Sequence, residues 1–244
     1  AGIRDIMIIT RPEDQSQFRN LLGDGGHLGI SIQFADQKEP RGVADGIRIS
    51  SSFTKKEPFI FILGDNLFYG AQLRDILSQA STYGTGATIF TYQVSNPEAF
   101  GVVEVDSDQR ILSIKEKPKE GKSNLAVTGL YIYDGQASDY VKRLRYSSRG
   151  ELEITDLNAI YLADNSLHMK QFGRGFTWFD TGTFENLYAA STFVRGLQER
   201  QGLIVSSIEE IAWRQNWITT TELLNLASKL GENTYSDHLV NISQ

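Results

Sequence analysis

The sequence predicts an α/β protein with a doubly wound, mostly parallel central sheet. The apolar run Phe59–Leu63 follows Pro58 and is closed by Gly64-Asp65-Asn66, which indicates a strand buried on both faces in the middle of such a sheet. Strand and helix patterns also alternate from Ile6 to Tyr92. This rhythm implies right-handed crossovers, with helices covering both faces of one Rossmann-like sheet.

Each element can be assigned in chain order from its apolar period and from the residues that end it. The first half of the pattern predicts strands at Ile6–Thr10, Ile30–Phe34 and Ala87–Tyr92 besides Phe59–Leu63, and helices at Pro12–Leu22, from about Val43, and at about Ala71–Tyr83. Short, irregular links then predict a mixed or antiparallel section with strands at Gly101–Val105, Ile111–Ile114 and Leu125–Tyr133. Later elements are helices near Ala137–Leu144, Ile154–Asp164, Phe184–Gln198, Ser207–Arg214 and Thr219–Ser228, and an edge strand at His168–Phe172. We therefore predict an α/β domain over residues 1–200, incomplete at its N-terminus, and a helical appendix over residues 201–244.

Composition excludes several classes of function. The chain has 244 residues and no cysteine, so disulfide and thiolate chemistry are absent and a reducing cytoplasm is compatible with the sequence. Its three histidines are widely separated, which argues against a zinc site. A net charge of −6 disfavours nonspecific nucleic-acid binding, and no apolar run approaches the roughly 20 residues that span a membrane. Phosphate substrates would need local cations.

Two aspartates, Asp65 and Asp180, each end an apolar stretch. Ligands of open α/β sheets gather at the carboxyl ends of strands, and a carboxylate there suits Mg²⁺ better than zinc. The alternative for Asp65 is that it caps the next helix or shapes a turn, and for Asp180 it is an N-cap on the helix that begins at Phe184. The sequence does not show whether the two residues meet.

Two charged segments are further candidates. Lys115-Glu116-Lys117-Pro118 ends a strand and offers a cation for a phosphate, although charged strand ends are commonly just solvated. The segment from Arg149 to Asp156 feeds a helix, so its acids fit helix-start electrostatics as well as a site. Neither a phosphate-binding P-loop nor a dinucleotide fingerprint is present.

Together, five stretches resemble the sugar-1-phosphate nucleotidylyltransferase family, and specifically its members that form dTDP-glucose. They occur in the family's order and spacing over nearly the whole chain: Leu63–Asn66, Glu116–Pro118, Val127–Tyr131, Arg149–Asp156 and Trp178–Thr183. The resemblance implies that a phosphate oxygen of glucose 1-phosphate attacks the α-phosphorus of dTTP, giving dTDP-glucose and pyrophosphate. It also implies a cytoplasmic homo-oligomer, a tetramer, in dTDP-rhamnose and polysaccharide biosynthesis.

The resemblance also assigns roles to residues. Asp65 and Asp180 match the family's Mg²⁺ ligands, and Lys117 matches the lysine at the sugar phosphate. Positions around the sugar are Gly101, Glu116, Val127, Tyr131 and Arg149, and positions at the pyrimidine base are Gln37 and Gly42. A secondary nucleotide site for feedback by an end product is matched by Tyr69, Gly70, Arg174, Glu210, Ile211 and Arg214. The helix carrying the last three is equally well explained as an ordinary amphipathic helix.

The sequence departs from the family in two places. The family opens with a strand and a G-G-x-G-T-R loop that cradles the triphosphate, and this sequence has no such loop. In the base-contacting loop, Lys38, Asp45 and Gly46 replace the family's usual residues, and an acid such as Asp45 beside a triphosphate is unfavourable unless it is metal-bound or turned away. Two other functions therefore stay open: a non-catalytic nucleotide-sugar-binding or regulatory homologue, and a glycosyltransferase, although no D-x-D motif lies near Asp65.

Overall fold

The computed structural model combines strands and helices and describes residues 2–82, 84–119, 121 and 123–244. Its strands are β1 (Asp5–Thr10), β2 (Ser31–Asp36), β3 (Phe59–Ile62), β4 (Asn66–Tyr69), β5 (Ala87–Gln93), β6 (Gly101–Val105), β7 (Ile111–Glu116), β8 (Leu125–Tyr133), β9 (Leu167–Gln171) and β10 (Thr177–Asp180). Its helices are α1 (Pro12–Leu22), α2 (Val43–Ile49), α3 (Ser51–Thr54), α4 (Leu73–Ser81), α5 (Ala137–Val141), α6 (Ile154–Ala163), α7 (Phe184–Gln201), α8 (Ile208–Arg214), α9 (Thr220–Lys229) and α10 (Thr234–Ile242). Two predicted boundaries lie outside the described residues. They are Ala1, the start of the predicted first domain, and Tyr83, the end of the helix predicted at about Ala71–Tyr83.

The chain divides into two compact units. One runs from Gln37 to Leu187, and the other combines Gly2–Asp36 with Tyr188–Gln244. This division into compact units differs from the domain boundaries predicted from the sequence, 1–200 and 201–244. Those domain boundaries stay a prediction. Among the helices that the structure describes, none has both the length and the apolar character needed to cross a bilayer.

The first unit is built on a mixed sheet whose strand order is β7-β6-β8-β5-β9, with β3 also paired to β8. The α/β class is therefore confirmed, together with the mixed section. The expectation of a mostly parallel sheet is corrected, because β5 and β9 form its one parallel pair among the described residues and the other pairs are antiparallel.

The central strand of this sheet is β8 and not the predicted Phe59–Leu63 run. All nine residues of β8 are buried, and both of its edges are paired: β5 covers one edge while β6 and β3 share the other. The shorter β3 pairs with β8 alone in the described part of the chain, and its last residue, Ile62, is 53% exposed. An apolar run thus marked a strand of this sheet but not its position in it.

Helices pack on both faces of the sheet, as a doubly wound architecture requires. Successive residues of a strand point to opposite faces. Tyr131 and Tyr133 of β8 accordingly join one apolar cluster with residues of α2, α5 and α6, while Leu130 and Ile132 join another with Ala80 of α4. Each fully buried large apolar side chain contributes roughly 1.5–3 kcal/mol, so both layers hold the sheet firmly.

The second unit pairs β1 with β2 in parallel and adds a small helical core. Leu28 lies in an apolar cluster with residues of α8, α9 and α10, including Leu223 and Leu239. The sequence pattern predicted α8 and α9 but not α10. Capping boxes at Thr219 and Asn233 define where α9 and α10 begin.

Candidate active site

A two-stranded antiparallel ribbon brings the two candidate aspartates together. Its strands are β4 and β10, and their register sets Asn66 opposite Asp180. The backbone carbonyl of Asp65 accepts hydrogen bonds from the Thr181 amide at 2.9 Å and from the Thr181 hydroxyl at 2.7 Å. Asp65 and Asp180 therefore lie side by side at the end of this ribbon. The sequence pattern had assigned residues 66–69 to no strand, so this pairing could not be foreseen.

The two carboxylates converge on the space beside Gly182. A Cβ atom placed on this glycine would lie 3.1 Å from Oδ1 of Asp180 and 3.9 Å from Oδ2 of Asp65. A side chain here would crowd the Asp180 carboxylate and touch that of Asp65, so glycine keeps the space between them open. Two converging carboxylates, with Asp65 exposed to solvent, form a donor set suited to a hard divalent cation.

Asn66 fixes the carboxylate of Asp65 to the surrounding strands. Its Nδ2 atom donates to Oδ1 of Asp65 at 2.8 Å. Its Oδ1 atom accepts from the Gly129 amide of β8 at 3.0 Å and from the indole N–H of Trp178 in β10 at 2.6 Å. One amide side chain thus ties Asp65 to two strands. Sequence reasoning missed this role, although an amide directly after the acid in Gly-Asp-Asn was the available signal.

Asp180 does not cap the helix that follows it. Its Oδ1 accepts from the Gly182 amide at 3.0 Å, which closes a local turn, while the Thr183 hydroxyl accepts from the Asn186 amide at the start of α7. The N-cap alternative for Asp180 is therefore wrong, since Thr183 performs that role.

Lys117 lies directly after β7 in a strained backbone conformation. Its φ angle is 42°, a left-handed value that costs a residue with a side chain on the order of 1 kcal/mol or more. Its amide donates to the Phe100 carbonyl at 3.0 Å, and the Phe100 ring lies 5.0 Å from that of Trp178, centroid to centroid. A single aromatic contact thus separates the Lys117 loop from the ribbon that carries Asp180. The Lys117 side chain is exposed.

A second cluster gathers residues predicted to surround the sugar. A Cβ atom on Gly101 would lie 3.1 Å from the Thr155 hydroxyl, 3.4 Å from Oε2 of Glu116 and 4.0 Å from Cβ of Val127. The Thr155 hydroxyl donates to the same Glu116 oxygen. Gly101, Glu116 and Val127 therefore lie together, and buried Thr155 joins them although sequence reasoning gave it no role.

Arg149 holds three acidic side chains beside this cluster. Its guanidinium lies 2.7 Å from Glu153, 3.3 Å from Glu116 and 3.5 Å from Glu151. Burial of Glu153 opposes its ionisation, but hydrogen bonds from Arg149 and Ser147 outweigh that cost and lower the pKa of Glu153 below its ordinary value. Glu153 therefore stays charged at neutral pH and keeps its contact with Arg149.

Tyr131 lies beneath this cluster in the core. It is buried, and its ring stacks on Tyr133 at 5.8 Å between centroids. Burial, with a smaller contribution from the charge of Glu116, raises the pKa of Tyr131 well above its ordinary value. A phenol that stays protonated supplies shape and a hydrogen-bond donor rather than acid–base catalysis.

The predicted base-contacting loop packs against the loop before α6. A Cβ atom on Gly42, whose φ is 96°, would lie 2.5 Å from the Leu152 carbonyl oxygen, so only glycine fits. Gln37 Nε2 donates to the Gly42 carbonyl at 3.1 Å and to Oδ2 of Asp45 at 3.2 Å. Asp45 itself is buried and paired with Arg48. It is turned into the protein, which removes the expected conflict with a triphosphate.

The residues predicted for a regulatory site fall in both units, three in each. In the first unit, Tyr69 pairs with Thr177 on the ribbon and Gly70 packs against the Phe176 ring, with Arg174 two residues before that ring. In the second unit, Glu210 accepts hydrogen bonds from Arg214 at 2.6 Å and from His238 at 2.7 Å.

The Glu210 carboxylate is partly buried, which opposes its ionisation, but the hydrogen bonds from His238 and Arg214 outweigh this and lower its pKa. Ile211 of the same helix is half exposed. The amphipathic-helix explanation of α8 fits its packing on Leu28 and Leu223. The regulatory assignment stays a prediction.

The fold is that of nucleotidyl transferases, and the sequence pattern of the Nucleotidyl transferase family matches residues 1–196. The chain belongs to this family. Within it, the chain is 48% identical to the glucose-1-phosphate thymidylyltransferase of Neisseria meningitidis serogroup A over 99% of its own length and 84% of that protein's. The proteins of the same name from Xanthomonas campestris and Mycobacterium tuberculosis are 47% and 44% identical, across 83% and 84% of their lengths and 100% and 99% of this chain.

Solved structures of two other proteins share the fold of this chain. A Bacillus anthracis protein described as a glucose-1-phosphate thymidylyltransferase, in complex with a sucrose, superposes with a TM-score of 0.72 at 36% identity. The match covers 79% of this chain and 76% of that one. A UDP-glucose pyrophosphorylase complexed with UDP-glucose matches at a TM-score of 0.68 and 22% identity, over 80% of this chain and 82% of that one, and shares the fold.

Proposed function

We propose that this chain catalyses nucleotidyl transfer from dTTP to glucose 1-phosphate. A phosphate oxygen of the sugar attacks the α-phosphorus of dTTP, the bond from that phosphorus to the bridging oxygen breaks, and pyrophosphate leaves with its electron pair. The products are dTDP-glucose and pyrophosphate. The convergence of Asp65 and Asp180 beside Gly182, in a chain nearly half identical to thymidylyltransferases, carries this proposal.

Asp65 and Asp180 would hold a divalent cation, with Mg²⁺ the ion best suited to them. No cluster of three or more acidic, histidine or cysteine side chains suited to a metal occurs among the described residues. A pair of carboxylates nevertheless suits Mg²⁺, which keeps several waters and uses substrate phosphates as further ligands. When bound, such an ion neutralises charge that develops on the phosphates.

The remaining residues act by positioning and by electrostatics. Lys117, exposed after β7, neutralises the phosphate of the sugar. Glu116 is fixed by Arg149 and Thr155, so it presents a defined acceptor to sugar hydroxyls beside Gly101, where the missing side chain leaves room. Phosphoryl and nucleotidyl transfers need little covalent help from the protein. Residues that position the substrates and neutralise their charge are therefore the kind of groups that this reaction requires.

Gln37 and Gly42 bind the pyrimidine base. Their mutual hydrogen bond gives the loop a defined shape, and the packing of Gly42 on Leu152 connects this loop with the sugar cluster. We place the reaction in the cytoplasm, where nucleoside triphosphates are found, and propose that the protein works as a homo-oligomer, a tetramer as in the family. Feedback by a nucleotide sugar is the proposed role of Glu210 and its neighbours.

The test is pyrophosphate release from dTTP and glucose 1-phosphate with Mg²⁺. Asp65→Asn and Asp180→Asn should each lower kcat by about a hundredfold or more while leaving the thermal midpoint within a few degrees, because each removes charge at a partly exposed position. Asp108→Asn is the matched control, since that aspartate is exposed and remote in sequence from the ribbon.

Near-normal rates in both site variants would refute the assignment of these aspartates. A wild-type chain that binds dTDP-glucose tightly but releases no pyrophosphate would instead identify a nucleotide-sugar-binding homologue.

A further inference from the structure

The side-chain amide of Gln37 is held in one of its two possible orientations. An amide group presents a carbonyl oxygen that accepts and an NH₂ group that donates, and the two are distinguished by their partners. Both partners of Gln37, the Gly42 carbonyl at 3.1 Å and the Asp45 carboxylate at 3.2 Å, can only accept hydrogen bonds. The NH₂ group must therefore face them.

Asp45 is an unusual anchor because it is charged and only 2% exposed. A buried carboxylate needs a partner, and Arg48 supplies one through two contacts to Oδ1, at 2.6 and 2.7 Å. Arg48 occupies Oδ1, so Oδ2 is left for Gln37. An ionised carboxylate never donates, whereas an amide in its place could either donate or accept. The carboxylate at this position thus reinforces the Gly42 carbonyl in fixing the direction in which Gln37 points.

The consequence is that Gln37 presents its carbonyl oxygen outward. Within the described part of the chain, no hydrogen bond reaches this Oε1 atom, and Gln37 is partly exposed, so the oxygen is available to a ligand. Thymine and uracil carry an N3–H donor between two carbonyl groups. Cytosine carries a bare N3 acceptor there, which an acceptor oxygen repels.

We propose that Asp45, held by Arg48, is a positioning residue that locks the Gln37 amide together with the Gly42 carbonyl. The carbonyl oxygen of Gln37 then faces N3 of the base, so that the pocket selects pyrimidine imides and rejects cytosine. The proposal rests on the proposed function, which puts Gln37 at the base. It assigns a specificity role to Asp45, a residue that departs from the usual family sequence.

The test compares UDP-glucose with CDP-glucose by titration calorimetry, because these ligands share ribose, diphosphate and glucose and differ only in the base. Wild-type chain should prefer UDP-glucose. Asp45→Asn, nearly isosteric but able to donate, should reduce that preference about tenfold, the change expected when one directed hydrogen bond is lost. Asp45→Ala keeps the Gly42 carbonyl as a partner of the Gln37 NH₂ group and should lose less of the preference than Asp45→Asn. In turnover both variants should raise KM for dTTP with kcat within about twofold.

Asp139→Asn is the matched control, since it removes the same charge from an aspartate whose partners are Lys56 and Lys142. It should leave the base preference unchanged. If Asp45→Ala fails to fold, Asp45→Asn decides, because it preserves volume.

An unchanged ratio of affinities in a folded Asp45→Asn protein, or an equal loss for both ligands, would overturn the proposal. A wild-type chain that prefers UDP-glucose but releases no pyrophosphate refutes the transfer reaction alone, and the Asp45 comparison still stands. Normal turnover with no base preference refutes the Asp45 role alone.

Discussion

Asn66 offers the sharpest test of how the acidic site is held, because two substitutions separate its two roles. One role is structural: its Oδ1 satisfies the Gly129 amide and the Trp178 indole. The other concerns the site: its Nδ2 donates to Asp65. Asn66→Ala removes both roles. Asn66→Asp keeps an oxygen for the two donors but replaces the donor to Asp65 with a second negative charge.

The expected magnitudes follow from burial. Trp178 is buried and Gly129 lies in the buried strand β8, so Asn66→Ala leaves two donors without a partner. Each unsatisfied buried donor costs about 1–3 kcal/mol, and the sum predicts a loss of roughly 2–6 kcal/mol in the free energy of unfolding. Asn66→Asp should cost less than half of that, since both donors keep an acceptor.

For metal dependence, Asn66→Asp should have the larger effect and Asn66→Ala the smaller one. Like charges at Asp65 and at position 66 compete for one cation and change its binding geometry. We therefore expect Asn66→Asp to shift the Mg²⁺ concentration for half-maximal rate at least tenfold and to alter Mn²⁺ binding measured by electron paramagnetic resonance. Chemical denaturation measures the free energy of unfolding of both variants.

If Asn66→Ala proved as stable as wild type, or if Asn66→Asp bound Mn²⁺ unchanged, the hydrogen-bond role of this residue would have to be abandoned.

Two further predictions concern neighbouring residues. Gly182→Ala adds a methyl group 3.1 Å from a carboxylate oxygen of the acidic pair, so we expect about a tenfold loss of kcat with the thermal midpoint changed by only a few degrees; Gly196→Ala, in open space on α7, is the control. Loss of stability in place of rate would contradict this reading. Glu153 has a lowered pKa in the folded protein, so its contribution to stability is complete above the ordinary value of 4.5 and is lost as the pH falls through the lower, folded value. Below pH 5 the unfolding free energy of wild type should therefore fall more steeply than that of Glu153→Gln, and parallel curves from denaturant titrations would count against the Arg149 contact as its cause.

The sequence alone determined the class of the fold and the chemistry available to the site. Alternation of apolar runs and amphipathic helices is a local property, and it correctly indicated an α/β protein. Asp65 and Asp180 were recognisable because each is an acid at the end of an apolar stretch. The sequence also predicted the antiparallel section after Gly101, because short links between strands cannot form the crossovers that parallel strands need.

Only the tertiary structure decided which parts meet. Periodicity states which side of a strand is apolar but not which strand lies beside it, so β8 rather than β3 emerged as the centre of the sheet. The short β4 is too brief to show a period, yet its pairing with β10 brings the two aspartates together. The direction of Asp45 depends in the same way on Arg48 and Gln37, because burial and hydrogen-bond partners are set by packing and not by residue type.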